Sequence, residues 1–404
     1  MHRILSTQLQ AHTGRTVRLA GWVHRRRLLK SVAFLILRDR TGLAQIVVPQ
    51  GKQLPPEETV IEVTGTVVAN PVAPGGAEIV EPTVTALAEP AAPLPFDLYR
   101  PELTAALPVQ LDHAPLALRH PQRRNAFRLS AEVVAGFRRT LDGLGFTEIH
   151  TPKVVGSATE SGANVFALDY FGRPAYLAQS PQFYKQMMVG VFERVYEVGP
   201  AFRAEPHDTG RHLAQYTSLD AELGFITDHR DVMAVVREAV AAMSTVDVPE
   251  EIPAIHFADA LALMGADPGE PDLAPAHERW LGEWVRREYG SEFLFVTGYP
   301  MVKRPFYTYP QPDRPAYSNS FDLLFRGLEV ATGGQRLHRH GDYVAALAAR
   351  GERVDESYLE TFRYGIPPHG GFAIGLERFV ARLVGAANVR QTTLFPRDRR
   401  RLTP

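Results

Sequence analysis

The sequence predicts an α+β protein: an N-terminal five-stranded β-barrel of the OB type, then a larger antiparallel β-sheet flanked by helices. Three observations carry this. Five short β-rich runs separated by turn signals fall before residue 88. Pro90, Pro93, Pro95, Pro101, Pro108, Pro115 and Pro121 follow in close succession. Beyond Phe146 the strand-like runs come in hairpin order rather than alternating with helices, which favours antiparallel pairing. The domain bounds expected are 1–88 for the barrel, 89–121 for a proline-rich linker and 122–404 for the second domain.

The barrel strands are expected at Val17 to Val23, Ala33 to Leu37, Ala44 to Val48, Val60 to Val68 and Glu78 to Leu87, with turns at Asp39-Arg40-Thr41-Gly42 and Pro74-Gly75-Gly76. Five strands in so short a stretch suit an OB-fold, which binds single-stranded nucleic acid on one face. An SH3-like barrel without a ligand has the same pattern. The prolines that follow remove backbone donors and hold the chain extended, as in a stiff linker.

Next, apolar residues at Phe127, Ala131, Val134, Leu141 and Leu144 mark a helix ended by Gly145. A strand from Phe146 to His150 should stop at Thr151-Pro152. Further strands are expected at Arg194 to Val198, Tyr216 to Phe225, Phe293 to Thr297, Ser320 to Phe325 and Phe372 to Gly375. Residues 229–290 read as mostly helical and carry no legible motif.

Composition narrows the function classes. Forty-four basic against 45 acidic residues leave a net charge of -1, so RNA contact must come from local patches such as Arg25-Arg26-Arg27. The count of zero cysteines excludes disulfides, cysteine nucleophiles and thiolate metal sites. No apolar run approaches the roughly 18 residues of a spanning helix and no charged-then-apolar leader opens the chain, so a cytoplasmic protein is expected.

Neither a G-x-x-x-x-G-K-[ST] loop nor a strand-linked G-x-G-x-x-G occurs, so a bound nucleotide must be held by side-chain cations. The segment from Arg194 to Glu222 offers them. Period-2 alternation puts Arg203 and Glu205 on one face, and Tyr216, Ser218, Asp220 and Glu222 on another, with Thr217, Leu219, Ala221, Leu223 and Phe225 behind them as core. Such a polar sheet face is costly to bury unless it meets a polar ligand; the plain alternative is a solvated face with weak surface ion pairs. A second segment, His369-Gly370-Gly371-Phe372-Ala373-Ile374-Gly375-Leu376-Glu377-Arg378-Phe379, reads as a glycine-rich strand turning into a helix. Its apolar stripe is Leu376, Phe379, Val380, Leu383 and Val384, which leaves Arg378 free to reach phosphate.

These blocks resemble the three signature motifs of class II aminoacyl-tRNA synthetases: helix, strand and Pro152, then Phe202-Arg203-Ala204-Glu205, then Gly375-Leu376-Glu377-Arg378. Further segments are similar to the aspartyl branch, above all its shorter archaeal-type members. They are Ala178-Gln179-Ser180-Pro181-Gln182-Phe183-Tyr184-Lys185, Phe321-Asp322, Glu329-Val330-Ala331-Thr332-Gly333-Gly334-Gln335-Arg336 and the tail from Phe395 to Pro404. The resemblance covers nearly the whole chain and is weakest between about 244 and 290.

The resemblance implies ATP-dependent activation of L-aspartate and its transfer to the 3' end of tRNA. In that reading Arg203 bridges the α-phosphate and the substrate carboxylate, and Arg378 faces the far phosphates or the adenine. Glu205 sits near the adenine amino group and Tyr216 stacks on the ring. Arg211, His212 and Leu213 belong to a loop over the triphosphate, and Glu329, Gly375, Leu376 and Glu377 complete the ATP site. Asp322 and Glu329 with Thr332 would hold Mg2+, which prefers hard oxygens. Lys185 and Arg336 would grip the substrate's side-chain carboxylate, favouring aspartate because asparagine would leave a charge unpaired. Asp220, Gln182 and Ser180 would take its ammonium, and Glu160 would lie in a lid. Thr332 also borders the aspartate. In the barrel, Phe34 and Gln45 would stack on and read the anticodon, with Arg26 on a phosphate, although Phe34 among Leu35, Ile36 and Leu37 would equally suit a core residue. His24 and Pro74 stand where strictly discriminating archaeal-type members have tryptophan and lysine, which implies charging of both tRNA(Asp) and tRNA(Asn) and a separate tRNA-dependent amidotransferase. The asparaginyl branch generally has glutamate where this chain has Asp220, and a non-catalytic RNA-binding paralogue would be expected to lose a motif arginine or metal carboxylate. The first motif also implies a homodimer.

Overall fold

The computed structural model describes residues 2–157 and 165–404, which divide into two compact units, Met1–Gln110 and Leu111–Pro404. In the first, β1 (Thr16–Leu28), β2 (Val32–Arg38), β3 (Leu43–Pro49), β4 (Val60–Ala69) and β5 (Ala77–Ala88) close into a barrel in the order β1-β2-β3-β5-β4. Alternate residues, among them Val17, Leu19, Leu35, Leu37, Ile46, Ile61, Val63 and Ile79, fill the interior. The turn between β2 and β3 is held by Asp39, whose Oδ1 accepts the Thr41 and Gly42 amides at 2.7 and 3.0 Å. Strand β1 is longer than expected and carries Arg25, Arg26 and Arg27 within the ladder to β2.

Two short helices, α1 (Leu107–Asp112) and α2 (Ala114–Ala117), interrupt the proline-rich stretch. Helix α3 (Pro121–Gly143) starts with Pro121 in the first turn and the His120 side chain accepting the Gln122 amide, and buries Val133, Phe137 and Leu141. Gly145, at φ +79°, then turns the chain into β6 (Thr147–Glu148), shorter than expected. A small sheet of β7 (Val154–Val155), β8 (Ala167–Tyr170) and β9 (Arg173–Leu177) precedes α4 (Gln182–Phe192). The main sheet is completed by β10 (Arg194–Phe202), β11 (Gln215–Gly224), β12 (Ala254–His256), β13 (Phe293–Thr297), β14 (Ser320–Phe325), β15 (Leu328–Gln335) and β16 (His369–Gly375). Between them lie α5 (His229–Met243), α6 (Phe257–Met264), α7 (Pro275–Tyr289), α8 (His340–Arg350) and α9 (Glu356–Arg363), and α10 (Leu376–Val384) follows β16.

The strand order is β12-β13-β14-β15-β16-β11-β10-β6. The inner pairings are antiparallel as expected, but both edge pairs, β12 with β13 and β10 with β6, are parallel, so the sheet is mixed. Both edge strands enter after long excursions through helices, which lets them add in either direction. One face of the sheet, with Tyr196, Leu219, Ala221, Phe321, Leu323, Phe372 and Ile374, packs on α3, α5 and α10 in the main core. Phe225, expected in that core, is 73% exposed at φ +58°, because the strand ends at Gly224. Arg203 and Glu205 lie beyond the end of β10 rather than on its face.

Candidate functional site

The opposite face of the sheet carries the polar residues, and its register brings them together from distant parts of the chain. One cross-strand row runs Val296, Asp322, Thr332, Ala373, Asp220, Glu197. The next runs Ser320, Gly334, Gly371, Glu222, Val195. Glu329 joins Asp322 and Thr332 on this face because the ladder shifts by one residue beside it. Leu324 opposes Glu329 while Asp322 opposes Thr332, so residues that regular alternation would set on opposite sides share one.

Above the first row a cleft open to solvent is lined by Arg203, Arg211, Leu213, Tyr216, Glu329, Thr332, Gly375, Glu377 and Arg378. The Arg203 guanidinium lies 5.7 Å from the centre of the Tyr216 ring, and its amide donates to the Ala214 carbonyl at 2.9 Å. Arg378 Nε donates to the Arg211 carbonyl at 3.2 Å, and its Nη1 lies 3.8 Å from Glu329. Arg211 is drawn to Glu278 at 2.9 and 3.1 Å, and Glu278 also accepts the Glu329 amide at 3.0 Å. Glu278 thus ties the 207–212 loop to β15, a role nothing in its helical sequence context signalled. His212 and Glu205 stand outside the cleft lining; burial and then the charge of Arg378 lower the His212 pKa, with Glu205 acting against them. Leu376, expected at the nucleotide, is 7% exposed and packs in the main core, since helical periodicity at the start of α10 turns it inward.

At the other end of the face lies a buried charge network. Lys185, 1% exposed, donates to Asp220 at 3.0 Å and to the Phe372 carbonyl at 3.1 Å, and approaches Glu222 at 3.3 Å. Arg336 donates to Glu222 at 3.0 Å and to the Gly371 carbonyl at 3.0 Å. Burial pushes the Glu222 carboxyl up, but the Arg336 and Lys185 charges outweigh it and hold its pKa below the ordinary range. The two cations therefore already face two carboxylates. Glu222 lies against both cations but carries a single negative charge, so it offsets one of the two, and the expected preference for aspartate over asparagine rests on the other. Glu222 was placed on the right face by alternation but given no role. Asp220 Oδ2 is buried without a hydrogen-bond donor among the described residues. Ser180 Oγ accepts the Gln182 amide at 3.3 Å, and Gln182 Nε2 donates to Gln186 at 3.0 Å. Glu160 lies outside the described residues.

Gly371 has to be glycine: an added Cβ would sit 2.0 Å from Glu222 Oε2 and 2.2 Å from the Ala221 carbonyl oxygen. Gly371→Ala is expected to cost about 3 kcal/mol, at the upper end of overpacking, as read from urea denaturation; a loss under about 1 kcal/mol would contradict this packing.

Gln186 and His369, both fully buried, extend the network. Gln186 Nε2 donates to Tyr343 at 2.9 Å and lies 3.0 Å from His369 Nε2, which must therefore accept; the Nδ1 proton goes to the Pro367 carbonyl at 2.9 Å. Burial lowers the His369 pKa from 6.5 to about 4, against the opposing charge of Glu222. Glu377 shows the reverse. It accepts the Thr217 amide at 2.9 and 3.1 Å, has no cation beside it among the described residues, and burial raises its pKa from 4.5 to about 7. His369 keeps its proton off on folding, so its contribution is present above pH 6.5 and is lost as pH falls to about 4. Glu377 keeps its proton on, so its contribution is present below pH 4.5 and is lost as pH rises to about 7. Stability measured against pH should show His369→Gln flattening the acid limb between 6.5 and 4, and Glu377→Gln removing the decline between 4.5 and 7. Each effect is expected to be on the order of 3 kcal/mol, and parallel curves for wild type and variant would refute the assignment.

Asp322 and Thr332 do not stand open. Arg304 donates to Asp322 at 3.1 Å and to Thr332 Oγ1 at 3.3 Å. Burial raises the Asp322 pKa, partly offset by Arg304, and the Glu329 charge adds to the rise. Among the described residues no group of three His, Cys, Asp or Glu side chains forms a metal cluster. Two carboxylates and a hydroxyl are nonetheless a hard-oxygen set suited to magnesium, which keeps several waters and shares substrate phosphates. Repulsion between Asp322 and Glu329 is what a cation would relieve.

In the barrel, Phe34 pairs with Arg27 and Val47 on the outer face, away from the interior. Gln45 is in register with Ile36 and donates to Glu78 at 2.7 Å. Arg26 is in register with inward-facing Leu35 and pairs with Glu57 at 2.8 Å, so Arg25 and Arg27, rather than Arg26, share the face of Phe34. His24 occupies the bulge between Val23 and Arg25, is 8% exposed, and accepts from Arg38 at 3.1 Å beside the buried Arg38–Glu58 pair. Pro74 begins the 3-10 turn before β5.

Known proteins share both units. A family model described as tRNA synthetases class II (D, K and N) matches residues 107–399, and one for an OB-fold nucleic acid binding domain matches 17–87. Aspartate--tRNA(Asp/Asn) ligase of Deinococcus radiodurans is 46% identical over 100% of this chain and 99% of its own length, and that of Thermus thermophilus is 46% identical over 100% of both. The asparaginyl-tRNA synthetase of Pyrococcus horikoshii complexed with asparaginyl-adenylate superposes with a TM-score of 0.92 at 30% identity, covering 100% of each chain. With that family model matched over residues 107–399 and relatives 46% identical end to end, this chain belongs to the class II tRNA synthetases of the D, K and N group.

Proposed function

We propose that the chain joins L-aspartate to ATP, forming aspartyl-adenylate and pyrophosphate, and then passes the aspartyl group to the 3' end of both tRNA(Asp) and tRNA(Asn). The observation that carries this is end-to-end identity of 46% to ligases named for both tRNAs, together with the two-ended polar face. ATP would lie in the cleft with its α-phosphate at Arg203 and its base against Tyr216, where Arg203 meets the charge that grows as the substrate carboxylate attacks. Arg378 and Arg211 would hold the departing phosphates. Positioning and charge neutralisation suffice, with no general base needed. Magnesium, held by Asp322 and Glu329 beside Thr332, would supply charge neutralisation at the phosphates.

The substrate ammonium would go to the buried, donor-free Asp220 Oδ2, with Gln182 and Ser180 beside it. Its side-chain carboxylate would be met by Arg336 and Lys185, which first have to loosen from Glu222. The anticodon would meet the outer barrel face at Phe34 and Gln45, with Arg25 and Arg27 for phosphates, where stacking on an aromatic is worth roughly 1–3 kcal/mol per base. His24 and Pro74 are the positions at which relaxed tRNA choice is read. A homodimer through α3 and β6, a cytoplasmic location and a tRNA-dependent amidotransferase acting on aspartyl-tRNA(Asn) belong to the same reading.

The test is aminoacylation of separate tRNA(Asp) and tRNA(Asn) transcripts with radiolabelled aspartate and, in parallel, asparagine. Aspartate on both transcripts is expected. Aspartate on tRNA(Asp) alone would remove the dual specificity, and asparagine charging would turn the assignment to the asparaginyl branch.

A further inference from the structure

Arg304 comes from the turn Met301–Lys303 after β13, immediately before Pro305. Its guanidinium lies 4.1 Å from the centre of the Tyr299 ring and reaches Asp322 and Thr332, two of the three residues read above as the magnesium-holding set. The Arg304 guanidinium thus bridges the Asp322 carboxylate and the Thr332 hydroxyl, and is the cation paired with Asp322 among the described residues. Asp322 is 6% exposed and feels the like charge of Glu329; without a cation it would be a buried, repelled carboxylate. Asp272 is a second carboxylate within electrostatic reach of both Arg304 and Lys303.

We propose that Arg304 is a built-in counter-cation: it neutralises Asp322 until a divalent ion arrives, and it has to withdraw for that ion to be held by Asp322 and Glu329 beside Thr332. This rests on reading those residues as the metal-holding set. A metal ion would bind a carboxylate oxygen at roughly 2.0–2.1 Å, and a guanidinium on the same carboxylate competes with it by both charge and space. A free ion gains only what Arg304 gives up. An ion carried on ATP brings phosphate charge as well, so Arg304 makes metal entry conditional on nucleotide.

The experiment titrates Mn2+ into the full-length protein and counts bound ion by electron paramagnetic resonance, without nucleotide and then with ATP. Arg304→Met is expected to bind one Mn2+ per chain at least tenfold more tightly than wild type without nucleotide. Arg304→Lys should resemble wild type, and adding Asp322→Asn to Arg304→Met should abolish the gain. Arg304→Gln replaces the methionine variant if thermal melting shows that the latter does not fold. Equal nucleotide-free affinity in wild type and Arg304→Met, with Mn2+–ATP binding that depends on Asp322, would overturn the proposal and leave the metal reading standing. Mn2+–ATP binding unchanged by Asp322→Asn would overturn both.

Discussion

Arg203→Ala is expected to slow aspartate-dependent ATP–pyrophosphate exchange by roughly 10³-fold or more, the range seen when a preorganised cation is withdrawn from developing phosphoryl charge. The chain enters the cleft at this residue because β10 ends at Phe202, and the Arg203 amide is fastened to Ala214 so that the side chain lies over Tyr216. The side chain is only partly buried, so thermal stability should be nearly unchanged and the loss should appear in kcat rather than in folded fraction. Arg203→Lys keeps the charge but loses the planar fork and the stack on Tyr216, and should recover only part of the rate. A decrease of less than tenfold in the alanine variant would take Arg203 out of the chemistry.

Glu222→Gln is expected to destabilise the protein by about 3–5 kcal/mol, the cost of removing one partner from a buried ion network. Glu222 is fully buried between Arg336 at 3.0 Å and Lys185 at 3.3 Å, and the amide keeps its shape while cancelling its charge. Equilibrium denaturation in urea measures this. A cost below about 1 kcal/mol would mean that Asp220 and the carbonyls of Gly371 and Phe372 satisfy both cations alone. The same variant separates two views of the pocket. If Glu222 competes with the substrate for Arg336 and Lys185, the surviving folded protein should bind aspartate with a lower KM; if Glu222 only orients them, KM should rise.

Much of this was legible in the sequence. The barrel strands, the strands Phe293–Thr297 and Ser320–Phe325, and the polar face of Tyr216, Ser218, Asp220 and Glu222 follow from period-2 alternation between turn signals, a purely local property. Where local pattern misled, a terminus or a bulge was responsible. Phe225 and Arg203 were assigned by alternation running past the ends of β11 and β10; Leu376, given to the nucleotide by the resemblance, lies in the core where the apolar stripe of α10 puts it. The His24 bulge shifts the phase of β1, which is why Arg25 and Arg27, not Arg26, flank Phe34.

The sequence by itself determined the two-part α+β plan, the elements that carry the arginines and carboxylates, and, through its motifs, the family. These depend on residue type and near spacing, which the chain carries wherever it folds. Only the tertiary structure decided which charges meet. Arg304 on Asp322, Arg336 on Glu222, Lys185 on Asp220 and Glu278 on Arg211 join residues 18 to 114 positions apart in sequence, through sheet register and loop closure. Charge pairing in a buried site is set by distances of a few ångströms and by exclusion of water, and neither is encoded in the spacing of any one segment.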